Sequence, residues 1–132
     1  MLKSILVFFD GSKASRKAFK LGLDMATMYR AEMLIISVMP RIEAELMFER
    51  LQDYPVKELR DLCLTAAERG VPCRYRLDIG EFIEQVVRAA EDSKADIIII
   101  GQCKVPLDQQ TESETPIEAI LSHARCPVTM IK

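Results

Sequence analysis

Apolar residues along this chain fall into two alternating patterns: short unbroken runs, and longer segments with helical spacing. Residues 4–9, Ser-Ile-Leu-Val-Phe-Phe, are apolar after the first, as a strand buried on both faces should be. Asp10-Gly11-Ser12 breaks the run. Ser12 is placed to cap a helix over about 13–30, whose apolar stripe reads Ala18, Leu21, Gly22, Met25 and Met28. A second strand is expected at 33–38, Met-Leu-Ile-Ile-Ser-Val. The mixed stretch from Pro40 to Pro55 reads as a long, partly helical connection. A helix running to about Arg69 then carries Leu59, Leu62, Cys63, Ala66 and Ala67 on one stripe, with Gly70 just past its end. Residues 72–78 alternate polar and apolar, which suits a strand nearer a sheet edge. Beyond Gly80, the residues Ile83, Val86, Val87 and Ala90 define another amphipathic helix, and Ile97–Ile100 is a fourth strand that ends at Gly101. A polar segment, 102–115, leads to a short helix carrying Ile117, Ile120 and Leu121, and Cys126–Ile131 supplies the last strand.

Strands alternating with helices in this way give a mostly parallel sheet covered on both faces. The expected architecture is one domain over residues 1–132, a three-layer, doubly wound α/β fold with five parallel strands. No linker or internal repeat interrupts it. The composition, 49% hydrophobic and 29% charged, fits neither a disordered chain nor a membrane protein. The longest apolar runs, Ile5–Phe9 and Ile97–Ile100, are strand-sized and far short of the ~20 residues that cross a bilayer. Met1-Leu2-Lys3-Ser4 leads straight into the first run and no small-residue cleavage site follows, so a cytoplasmic location is expected. A net charge of −2 without a clustered basic face argues against a nucleic-acid partner. The four cysteines, Cys63, Cys73, Cys103 and Cys126, form no Cys-x-x-Cys pair, so zinc spacing is absent and no metal site is expected. They read as free thiols, with Cys63 and Cys73 at core positions and Cys103 in the polar segment.

In open parallel sheets, ligands bind beyond the carboxyl ends of the strands, where strand order reverses. Three segments are expected there: Phe9-Asp10-Gly11-Ser12, Val38-Met39-Pro40 and Ile100-Gly101-Gln102. Ile5 to Ser12 with Ser15 and Ala18, then Ala95-Asp96 through Gly101, then Ile120-Leu121-Ser122-His123-Ala124-Arg125-Cys126-Pro127-Val128, together resemble the universal stress protein family along essentially the whole chain. The resemblance implies an adenine-nucleotide alpha-hydrolase-like α/β fold, a two-fold homodimer and a role in the stress response. Some members bind ATP or AMP through a loop of the form Gly-x2-Gly-x9-Gly-Ser/Thr after the fourth strand. Laid on this chain, the first glycine is Gly101 and the Ser/Thr is Thr115, but Lys104 and Glu114 stand where the second and third glycines belong. The residues the resemblance assigns to a nucleotide, if one binds, are Asp10, Gly11, Ser12, Val38, Gly101, Lys104 and Thr115.

The two replacements matter because a phosphate loop works by bringing backbone amides onto the phosphate oxygens, which glycine permits. Lys104 offers a charge instead, whereas Glu114 brings a carboxylate to the place where phosphates would lie. Asp108 and Glu112 add further negative charge, and Pro116 removes an N–H from the start of the following helix. Thr115-Pro116-Ile117-Glu118 is itself a capping box with proline at the first helical position, worth ~1 kcal/mol of helix stability without any ligand. Asp10 has two readings: a binding aspartate for a nucleotide's sugar or metal, or the ordinary Asx residue of a strand-to-helix turn. Val38 borders an adenine if one binds and otherwise ends a core strand. His123, the single histidine, falls in the last turn of a helix, which suits a capping or surface role.

No nucleophile, base or carboxylate pair is assembled by the sequence, so no enzyme activity and no catalytic residue are expected. An adenylyl-transfer enzyme requires an intact phosphate loop and a further substrate domain. A receiver domain requires a cluster of acids at the end of the first strand, where Phe8-Phe9-Asp10 supplies one. The expected function is that of a stress-response homodimer acting through protein partners, joined along Val128, Thr129, Met130 and Ile131, with no cofactor. The alternative is a regulatory switch that holds ATP or AMP in the crevice at Asp10, Val38, Gly101 and Thr115.

Overall fold

A computed structural model of the chain describes residues 2–41, 54–102 and 116–132. Five strands, β1 (Ser4–Phe8), β2 (Glu32–Met39), β3 (Cys73–Ile79), β4 (Ile97–Gly101) and β5 (Val128–Ile131), form an all-parallel sheet in the order β3-β2-β1-β4-β5. Among the described residues, helices α1 (Lys13–Tyr29), α2 (Tyr54–Glu68), α3 (Phe82–Ser93) and α4 (Pro116–His123) lie between successive strands.

The unbroken apolar runs are explained by burial on both faces. Because successive side chains of a strand point to opposite sides, Ile5, Val7, Met33, Ile35, Ile97 and Ile99 meet α1 and α2 through Ala18, Phe19, Leu23, Ala26, Leu59 and Ala66. Their neighbours Leu6, Phe8, Leu34, Ile36, Ile98 and Ile100 meet α3 and α4 through Phe82, Val86, Ala89 and Ile120. The Phe8 and Phe82 rings meet edge to face at 4.8 Å. Every residue of β1 and β4 is buried, whereas every residue of β3 and β5, the two edges, is half-buried or exposed. The start of the sheet is tied by Asp96, whose Oδ2 accepts the N–H groups of Lys3 and Ser4 at 2.8 and 2.9 Å. Those two bonds hold its carboxyl below the usual range.

The structure corrects the sequence on three points of packing. The buried stripe of α1 is Ser15, Ala18, Phe19, Gly22, Leu23 and Ala26, while Met28 is 79% exposed. Its phase is set by Gly22, where an added Cβ would sit 2.8 Å from Val7 Cγ2 and 3.2 Å from Met33 Cε. Six residues on, Met28 is turned about 120° away from that contact. On α2, Leu59 and Ala66 are buried but Ala67 is exposed. Cys63 and Cys73 are half-buried at the rim of the core, not inside it. Both α1 and α3 end on a left-handed residue, Arg30 (φ 56°) and Lys94 (φ 53°), that returns its N–H to the last turn. Among the described residues no helix is long and apolar enough to cross a membrane.

Candidate functional site

From β1 the sheet is built outward to β2 and β3 on one side and to β4 and β5 on the other, so strand order reverses between β1 and β4. Phe8 is level with Ile36 across one ladder and with Ile100 across the other. The segments beyond them, Asp10-Gly11-Ser12, the end of β2 and Gly101-Gln102, therefore meet at one end of the sheet, where a ligand of such a fold would sit.

The first of these segments is closed by its own side chains. Asp10 Oδ1 accepts the Ser12 N–H at 2.9 Å, which makes the Asx turn. Gly11 has φ 83°, a conformation that an L side chain resists. Ser12 is extended and its Oγ accepts the Ser15 N–H at 3.1 Å, so it is the N-cap expected from the sequence. The buried Ser15 hydroxyl donates to the Ser12 carbonyl at 2.9 Å and accepts the Asp10 N–H at 3.3 Å. The orphan donors that make a helix start attractive to an anion are here partly engaged by the chain itself.

Gly101 has a packing reason to be glycine. A Cβ there would lie 2.5 Å from the Ala14 carbonyl carbon and 2.6 Å from the Ser15 nitrogen, both backbone atoms of the first turn of α1. Gln102 extends the ladder past it, donating its N–H to the Ile131 carbonyl at 2.7 Å. Val38 is half-buried and packs with the cluster on the α3 side of the sheet, level with Asp78. Gly101 instead lies under α1, so the two flank β1 from opposite faces.

Two residues that the sequence did not single out join this end of the sheet. Glu58 of α2 forms an ion pair with Arg16 of α1, and its Oε2 comes within 3.9 Å of where a Cβ on Gly11 would stand. The Arg16 guanidinium lies 5.5 Å from the centroid of the Phe9 ring. Separated by 42 in sequence number, Arg16 and Glu58 carry no local signal of their pairing. Their effect is to place a carboxylate beside the candidate loop and to occupy the nearby guanidinium with it.

Lys104 and Thr115, together with Asp108, Glu112 and Glu114, lie outside the described residues. Pro116 opens α4 and Glu118 stands in its first turn, as the capping pattern requires. His123 Nδ1 lies 2.8 Å from the Ala119 carbonyl, a bond within the last turn of the helix. Among the described residues, no group of three or more His, Cys, Asp or Glu side chains is arranged to hold a metal ion.

A family model described as the universal stress protein family matches residues 1–132. The chain belongs to that family. It is 26% identical over its whole length to a universal stress protein of Methanocaldococcus jannaschii, covering 83% of that protein. A universal stress protein family structure from Burkholderia pseudomallei superposes with a TM-score of 0.76 at 27% identity, covering 98% of this chain and 95% of that one. A hypothetical protein whose biochemical function was assigned from its structure superposes at 0.82 with 20% identity, over 100% and 96% of the two chains. Universal stress proteins solved with cAMP, dAMP and AMP share the fold at TM-scores of 0.73, 0.68 and 0.71, with 17%, 16% and 17% identity. The universal-stress-protein-like, five-stranded parallel α/β fold expected from the sequence is the fold observed.

The packing at Gly101 makes a direct prediction. Gly101→Ala should lower the unfolding free energy of nucleotide-free protein by about 1–3 kcal/mol, read by urea unfolding, because the added methyl meets backbone that cannot step aside. An unchanged midpoint and slope would show that packing does not demand the glycine.

Proposed function

We propose that this single-domain universal stress protein is a non-catalytic stress-response protein that works as a homodimer through protein partners in the cytoplasm, without tight ATP binding. The observation that carries this reading is the closure of residues 10–15 on themselves, with Asp10, Ser12 and Ser15 each engaged in the turn they build. The packing reason for Gly101 supports it, because the one glycine retained from the phosphate loop has work to do without a phosphate. So does the sequence beyond it, where Glu114 adds a charge of the wrong sign and Pro116 lacks an N–H.

A nucleotide switch is the second reading, with ATP or AMP held by Asp10, Gly11, Ser12, Val38, Gly101 and Thr115 and with Lys104 replacing a glycine amide. What favours it is that relatives of the same fold have been solved with AMP, dAMP and cAMP. Against it stands Glu58, a carboxylate at the same loop whose guanidinium neighbour is already engaged. Calorimetry with magnesium and ATP is expected to give little heat at tens of micromolar protein. Lys104→Gly combined with Glu114→Gly and Pro116→Val should raise the affinity. Micromolar binding by the wild type that is lost in Asp10→Ala would overturn the proposal.

For the dimer, the outer edge of β5, unpaired among the described strands, is the proposed contact. Ile98 donates its N–H to the Pro127 carbonyl and Gln102 to the Ile131 carbonyl, so the odd-numbered residues of this segment face β4. Val128 and Met130 then turn their N–H and C=O groups outward, and Met130 is 40% exposed. An apolar edge of this kind is a liability for a monomer and is closed by the same edge of a second copy about a two-fold axis. Light scattering should find a dimer at tens of micromolar, and Met130→Pro, which deletes an outward N–H, should shift it to monomer with its circular dichroism spectrum kept. A wild type that is monomeric at that concentration would contradict the dimer.

A further inference from the structure

We propose that Cys63 and Cys73 form an oxidation site that a low-molecular-weight disulfide of the glutathione type converts to an intramolecular disulfide between α2 and β3. The two sulfur atoms lie 3.3 Å apart in the reduced protein, ten positions apart in sequence and on different elements. A disulfide bond is about 2.05 Å long, so little more than an ångström of approach closes it. Both residues are half-buried at the rim of the core, within reach of a small reagent.

The juxtaposition is held by backbone on both sides. The end of α2 is closed by the N–H groups of Arg69, Gly70 and Val71 returning to Ala66 and Ala67, with Gly70 at φ 74°. Cys73 begins the edge strand in register with Met33, whose N–H bonds the Pro72 carbonyl at 2.9 Å. The two cysteines therefore meet because helix and strand are each fixed, not because the connection between them is slack.

The chemistry divides between the two thiols. Their shared hydrogen bond favours the thiolate at Cys63 and pushes the Cys73 thiol up, with burial adding to the latter. Cys63 Sγ attacks one sulfur of the reagent RS–SR; the reagent's S–S bond breaks and RS⁻ leaves, giving a mixed disulfide. Cys73 Sγ, losing its proton, then attacks Cys63 Sγ and expels the second RS⁻. The protein loses two protons and two electrons, and the reagent departs as two thiols. Burial pushes the Cys126 thiol up as well, which makes it a poor competitor. The bond would tie α2, the helix that brings Glu58 to the crevice, to the sheet edge opposite β5.

The test uses the full chain carrying Cys103→Ser and Cys126→Ser, reduced, then exposed to oxidised glutathione and alkylated under denaturing conditions. The expected product is lighter than the reduced protein by two hydrogens, takes up no alkylating reagent, and returns to the dithiol with dithiothreitol. Trypsin should release peptide 61–69 covalently joined to 70–74. The yield should be several-fold higher from native protein than from protein oxidised in guanidinium chloride, and a further Cys73→Ser change should trap the glutathione adduct on Cys63. Two thiols still open to alkylation, adducts that persist without the cross-link, or equal yields in the two conditions would each overturn the proposal.

Discussion

Helix α1 lies on the sheet with no room for a Cβ at two points. At Gly22 the neighbour is Val7 Cγ2 on β1, and at Gly101 it is the backbone of Ala14 and Ser15 in the helix's first turn. Together they fix how far the helix stands from the sheet and which of its residues face inward. That is why Phe19, Leu23 and Ala26 are buried and Met28 is not. The same approach brings the first turn of α1 over the end of β4 and leaves the connection after β1 little freedom. Asp10, Gly11 and Ser12 must turn within three residues, and they do so with an Asx bond, a positive φ and an N-cap.

A helix start beside a switch point is the ordinary place for an anion, because unpaired N–H groups face it. In this chain some of those groups meet other claims. Ser12 Oγ and Ser15 Oγ engage N–H donors of the turn, and Glu58 approaches Gly11 from α2 with Arg16 bound to it. Gly101 is required for one layer to rest on another. The residues that build the turn and the helix contact therefore serve the fold in their own right.

Much of this was legible in the sequence. Runs such as Ile5–Phe9 and Ile97–Ile100 have no polar face and are strand-sized, so they read as strands covered on both sides, and the helical segments between them implied parallel pairing. The edge position of β3 was visible in its alternation, and the Ser12 cap in its place before the helix. What the sequence did not reveal depends on how elements dock. The phase of α1 follows from the Gly22 contact, which periodicity alone cannot choose over a stripe ending at Met28. Arg16 and Glu58 meet across two helices. Cys63 and Cys73 read as separate core positions, and only the packing of α2 on β3 brings their sulfurs together. Lys104 and Thr115 lie outside the described residues, so for them the sequence remains the source.

A nucleotide held tightly, with slow dissociation, travels with the protein through purification, so its presence can be read without adding any ligand. Denaturing freshly purified protein and separating the released small molecules by ion-exchange chromatography measures this. An end of the sheet where Asp10, Ser12, Ser15 and the Arg16–Glu58 pair already engage one another should release no adenine nucleotide in proportion to protein. Close to one AMP or ATP per chain would contradict that account.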